Sequence, residues 1–338
     1  MEIIKPYKLK KGDTIGIVSP ASPLAGKIPS RFQRGIKNTQ KLGYKVKIGK
    51  NATTIYGHTA GKPEERAEDL HSMFEDPEVK AIICAVGGYN SNELLELLDY
   101  NLIKKNPKIF VGYSDTTSLH NGIHSQTGLV TFYGPAVMPQ FGEFPQPLHY
   151  TVENMEKVLC NAKPAGELML SREYTYEKLW WGKEDNKPRK MVPNTGWKCL
   201  KSGEAEGNLI GGHLGTLEAL SGTKYFPSFK NSIFFWEETE SSTPETHRSL
   251  VHLKMLGVFD QVNGMIVGRT NPTEYEVREK DYGLDKIILD VTRGYDFPII
   301  TEMDFGHTDP ILTLPYGIKA YMNADLTKFS LLESAVRK

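Results

Sequence analysis

Apolar positions along the chain fall in short blocks whose period alternates between two and about three and a half, as strands alternating with helices do. Residues 14–18 form the first apolar run, opened by Lys11-Gly12-Asp13 and closed by Ser19-Pro20-Ala21-Ser22-Pro23. Residues 32–42 have helical spacing and stop at Gly43, and 44–48 alternate as a second strand. An amphipathic helix is predicted over 63–73, with Leu70 and Met73 inward and Glu64, Glu65 and Arg66 outward. Residues 79–86 read as a strand apolar on both faces, followed by Gly87-Gly88-Tyr89-Asn90-Ser91-Asn92 and a helix over 93–98. Residues 109–111 end another buried strand, and a helix starts near Thr116, with Asp115 or Thr116 able to cap it. Strands alternating with helices to about residue 130 predict a parallel, doubly wound sheet. Sites in such sheets lie outside the carboxyl ends of the strands. The Ser19 loop, the Gly87-Gly88 loop and Ser114 all fall there.

The pattern breaks over residues 151–200, which are polar, rich in Lys, Glu, Pro and Asn, and interrupted by Trp180, Trp181 and Trp197. This stretch is expected to be a linker with a long ordered loop, dividing an N-terminal domain (1–150) from a C-terminal one (201–338). In the latter, strands are predicted over 208–213, 232–236, 264–267 and 298–301, and helices over 214–220, 247–256 and 285–292. The fold class is therefore α/β, with a doubly wound parallel sheet followed by a second, β-rich α+β domain.

Composition narrows the setting. The 338 residues carry 41 basic and 41 acidic side chains, so nothing marks nucleic acid or an anionic membrane as a partner. No apolar run approaches the ~20 residues that span a bilayer. An N-terminus without an apolar leader points to the cytoplasm. The three cysteines, Cys84, Cys160 and Cys199, lack paired spacing, so neither a disulfide framework nor a zinc site is expected. Cys84 sits in an apolar strand and belongs to the core.

The turn Gly112-Tyr113-Ser114-Asp115 joins a buried strand to a helix. A serine on such a turn projects its Oγ from the sheet edge, and the next N–H faces whatever that oxygen attacks. Ser114 is the candidate nucleophile, although the stretch by itself reads more readily as an ordinary turn serine, and Thr116 stands where an elbow has its second glycine. Such a nucleophile needs a base and a group to orient it. Of nine histidines, His120 and His124 lie on the following helix and would point away from the turn, and His247 and His252 sit on a polar helix face. His307 follows a strand in a glycine-containing loop, the setting of an active-site base. Glu237 ends the most apolar strand of the second half, where a carboxylate needs a partner. Glu238 points to the other face and is expected to be solvated. The candidate oxyanion donors are the N–H groups of Asp115 and Gly88. No metal or cofactor is expected.

These positions together resemble the serine LD-carboxypeptidases. The resemblance rests on Gly-Gly-x-x-Ser-Asn at 87–92, Gly-Tyr-Ser-Asp at 112–115 and Gly-Asn-Leu-x-Gly-Gly at 207–212. Glu237 after its apolar strand, Gly306-His307, and the opening Lys11-Gly12-Asp13 and Ala60-Gly61…Arg66…Asp69-Leu70 add to it. The resemblance implies a flavodoxin-like N-terminal domain, a triad of Ser114, His307 and Glu237 spanning both domains, and a homodimer. Gly87-Gly88-Tyr89-Asn90-Ser91-Asn92, Phe235-Trp236-Glu237-Glu238 and the tryptophan-bearing insert are more similar to the family's microcin C self-immunity branch (MccF). That branch implies cleavage of an amide between a peptide or aminoacyl group and a modified nucleotide. Trp180 or Trp181, with Trp181 favoured, would stack on the base, and Gly87, Tyr89 and Asn90 would line the site. The alternatives are a murein tetrapeptide LD-carboxypeptidase, an esterase-type α/β-hydrolase, and a non-catalytic phosphate- or nucleotide-binding module built on Gly87-Gly88.

Overall fold

The computed structural model describes residues 2–270 and 282–338. Its first sheet holds β1 (Thr14–Val18), β2 (Lys45–Ile48), β3 (Val79–Cys84), β4 (Ile109–Gly112) and β5 (Phe132–Tyr133) in the order 2-1-3-4-5. All five are parallel. This is the flavodoxin-like order, whose topological switch point lies between β1 and β3. The loops leaving those two strands are Ser19–Ser22 and Gly87–Asn92, so the crevice opens where the sequence pattern placed it. A short strand, Leu314–Pro315, returns from the far end of the chain and pairs antiparallel with β5.

The second sheet has eight strands with a parallel centre, Glu204–His213, Ser232–Glu237, Val262–Gly268 and Ile299–Met303. Antiparallel strands extend it on both sides. Every residue of Ser232–Glu237 is buried. A parallel sheet is covered on both faces, so its strands read as continuous apolar runs. One large core joins the two sheets, and the ring of Tyr133 in the first lies 5.5 Å from that of Phe235 in the second.

Four local expectations change. The start of the linker is a helix, His149–Leu159, which buries Met155, Val158 and Leu159. The helix predicted over 93–98 is a single 3₁₀ turn, Ser91–Leu94. Neither Asp115 nor Thr116 caps the helix Thr117–Thr127. Asp115 instead accepts a hydrogen bond from Ser91 N–H at 2.9 Å, bracing the Gly87 loop against the Ser114 turn. Arg66, expected on the wet face of helix Pro63–Glu75, is 2% exposed. Its guanidinium donates to the carbonyls of Pro20, Gly61 and Asn90, fastening the loops after β1 and β3 to one another. Unpaired carbonyls in converging loops provide a buried guanidinium with the acceptors it needs.

Candidate active site

Ser114 sits at φ 63, a left-handed conformation that costs a residue bearing a side chain about 1–3 kcal/mol. Strand β4 and the 3₁₀ turn Ser114–Thr116 hold it there. The Ser114 N–H donates to Tyr133 Oη at 3.1 Å, and that hydroxyl donates in turn to Glu237 Oε1. A tyrosine of the first sheet thus joins the serine's backbone to the carboxylate at the end of a strand of the second.

His307 closes the arrangement. Its Nε2 lies 3.1 Å from Ser114 Oγ and its Nδ1 lies 2.8 Å from Glu237 Oε2. Glu237 is fully buried; burial alone would push its carboxyl up, but His307, His213 and the Tyr133 hydroxyl hold it below its ordinary value. Gly306 has φ 102, and a Cβ there would lie 2.7 Å from Glu237 Cγ, so only glycine lets the loop bring His307 this close. Gly87 opens space on the other side of the serine. A Cβ at Gly87 would lie 3.1 Å from Ser114 Oγ and 3.4 Å from Asp115 N, where a substrate carbonyl would enter.

A cavity of about 950 Å³ surrounds this group, and Gly87, Gly88, Tyr89, Ser114, Asp115, Trp181 and His307 all border it. The two tryptophans part company here. Trp181 lines the cavity with the Arg31 guanidinium 4.4 Å from its ring centroid, whereas Trp180 is 69% exposed and lies outside the lining. Asn90 is outside it as well, its carbonyl taken by Arg66, and Asn92 borders the cavity in its stead. Tyr89 reaches across to the second half of the chain, its hydroxyl donating to Glu240 at 2.8 Å.

Two expectations about polar residues are corrected. Glu238 is 3% exposed: Oε1 faces His213 Nε2 at 2.9 Å, and Oε2 accepts from Gly215 N–H at 3.0 Å. Strand alternation placed it in water, but both faces of this sheet are covered. His120 does not point away from the turn. It folds beneath it, and its Nε2–H donates to Gly112 O at 2.9 Å. Burial pushes its pKa down to about 3, so it stays neutral and braces the turn.

The insert is fastened to the loop that carries His307. Thr175 and Asp309 exchange backbone hydrogen bonds of 2.6 and 3.1 Å, and Arg189 donates to Asp309 at 2.7 Å and reaches Glu143 at 2.8 Å. Gln140 links Asp309, at 3.0 Å, to Tyr113 Oη, at 3.2 Å, and the Tyr113 ring lies 5.0 Å from that of His307. Arg31, Tyr133, Arg189 and His213 were not singled out from the sequence. Only His213 carried a signal, directly following the Gly211-Gly212 pair at a strand end.

Models of the LD-carboxypeptidase N-terminal and C-terminal domains match residues 15–134 and 206–322. The Microcin C7 self-immunity protein MccF of Escherichia coli is 36% identical over 332 residues, 96% of this chain and 94% of that protein. A probable murein peptide carboxypeptidase of Bacillus subtilis is 34% identical over 332 residues, 98% and 95% of the two chains. A structure of MccF in complex with aspartyl sulfamoyl adenosine superposes with a TM-score of 0.91 at 34% identity, covering 98% of this chain and 99% of its own.

Proposed function

The chain belongs to the serine LD-carboxypeptidase family, and from that premise we propose that this hydrolase cleaves the amide joining an aminoacyl or peptidyl group to a modified nucleotide. In this reading Ser114 Oγ attacks the carbonyl while His307 Nε2 takes its proton, and Glu237 holds the ring and stabilises its cation. The N–H groups of Asp115 and Gly88 receive the oxyanion. His307 then returns the proton to the leaving nitrogen, and water discharges the acyl-enzyme by the same route. The Ser114–His307–Glu237 geometry supports the acyl-transfer chemistry.

One observation carries the choice of substrate: an indole, Trp181, borders the same cavity as Ser114, with the Arg31 guanidinium over its ring. A base on the ring's other face would complete the stack. The MccF structure with an aminoacyl nucleoside analogue fits that choice. Base–aromatic stacking contributes about 1–3 kcal/mol. Trp181→Ala is therefore expected to lower kcat/KM for aminoacyl-sulfamoyl adenosine roughly ten- to a hundred-fold, mainly through KM. Trp180→Ala should leave it nearly unchanged. Hydrolysis of a murein tetrapeptide, which has no base, should be indifferent to both changes. A wild-type enzyme that cleaves the tetrapeptide and ignores the nucleotide would establish the murein carboxypeptidase reading instead.

A further inference from the structure

The hydroxyl of Tyr133 holds a place in the site that attack by serine does not by itself require. Tyr133 ends β5 of the first sheet, is 1% exposed and does not border the cavity, so a substrate does not reach it. Its ring packs among those of Tyr113, His120 and Phe235, whose centroids lie 6.2, 6.1 and 5.5 Å away. Phenylalanine would fill that space as well. What phenylalanine lacks is the oxygen, which accepts from Ser114 N–H at 3.1 Å and donates to Glu237 Oε1.

The directions of these bonds are forced. An ionised carboxylate only accepts, so the one phenolic proton points at Glu237 and a lone pair is left for the serine's N–H. Burial and the charge of Glu237 push the Tyr133 hydroxyl well above its ordinary pKa, so the proton stays on it. The other carboxylate oxygen, Oε2, faces His307 Nδ1 at 2.8 Å, and His307 Nε2 faces Ser114 Oγ at 3.1 Å. A circuit of hydrogen bonds therefore leaves Ser114 at its backbone nitrogen, crosses to the second sheet and returns to the same residue at its side-chain oxygen. Glu237 is fully buried, and a buried carboxylate oxygen deprived of its donor drives the group toward its neutral form.

We propose that Tyr133 is a positioning residue for this reaction: its hydroxyl pins the strained Ser114 backbone to the Glu237 carboxylate and keeps His307 Nε2 free to take the serine's proton. The assignment rests on the roles given to Ser114, His307 and Glu237 above. Ready for attack, the Glu237–His307 pair carries one negative charge, and the hydroxyl stabilises it. Without that donor the pair takes up a proton at higher pH, whichever of the two residues receives it. Other groups face the pair and its tyrosine. Tyr113 and His213 lie beside His307, Glu238 and Asp115 surround His213, Arg189 holds Asp309, and His120 and Tyr316 adjoin Tyr133. All of them are the same in a variant that loses only the hydroxyl, so the difference between the two pH profiles reports that one group.

The test is kcat/KM against pH for wild type, Tyr133→Phe and Glu237→Gln, on whichever of aminoacyl-sulfamoyl adenosine and murein tetrapeptide the wild type hydrolyses. In Tyr133→Phe the acid limb should move up by about one to two pH units, the effect of losing a hydrogen bond to a charged group. The plateau kcat should fall about tenfold, with KM within about twofold of wild type, because the circuit loosens while the substrate's contacts are untouched. Replacing Tyr133 by 3-fluorotyrosine keeps the hydroxyl and makes it a stronger donor, so the limb should move down instead. In the Glu237→Gln background, where no carboxylate is left to stabilise, Tyr133→Phe should leave the limb in place. A limb that either change at 133 leaves unmoved in the otherwise wild-type enzyme, or that Tyr133→Phe moves equally in the Glu237→Gln background, would overturn the positioning role. A wild-type limb that Glu237→Gln itself does not move would overturn the roles on which it rests.

Discussion

Ser114→Ala is expected to fold normally and to lose activity by a factor on the order of 10⁴ or more, because no acyl-enzyme can form. The substitution removes one oxygen from a position whose backbone is already strained. It leaves the Ser114 N–H to Tyr133 bond and the Glu237–His307 pair in place. Its melting temperature should therefore match wild type or exceed it slightly. Burst kinetics with a chromogenic acyl substrate and a labelled serine-directed phosphonate provide the measurement. Activity above a few per cent of wild type, or labelling of the alanine variant, would transfer the nucleophile elsewhere.

His307→Ala should cost nearly as much, and the double variant with Ser114→Ala little more than either alone, since triad members act as a unit. Full additivity in that cycle would contradict the pairing. Glu237→Gln should cost less, because an amide still holds the ring but stabilises the imidazolium poorly. The sign of its pH dependence follows from the carboxyl's depressed pKa. Glu237 contributes stability above the ordinary glutamate range, and that stability is lost as pH falls through its lowered folded value. Acid unfolding of wild type should therefore steepen below about pH 4.5 relative to Glu237→Gln.

The Ser114–His307–Glu237 cluster was legible because each member carried a local signature: a strand-to-helix turn, a carboxylate ending an apolar strand, a histidine behind glycine in a loop. The same reasoning failed for Glu238 and Arg66. Periodicity assumes one wet face, and neither side chain has one once the loops and second sheet have closed over it. Arg31 and Arg189 are invisible for a related reason. Their partners, Asp185, Glu143 and Asp309, are distant in sequence, and only the folded chain brings them together. The choice between Trp180 and Trp181 depended on which side of a loop faces inward, and Arg31 fixes that through Trp181.

The fastening of the insert at Asp309 has a bearing on fidelity. Thr175 and Arg189 grip the residue two positions after His307, and Arg31 grips Trp181 on the same insert. The wall that carries the indole and the loop that carries the imidazole are thereby tied into one body. Under the proposed function, a substrate held against Trp181 would meet an imidazole whose loop is anchored to the same insert, so its carbonyl is presented to Ser114 in a fixed orientation.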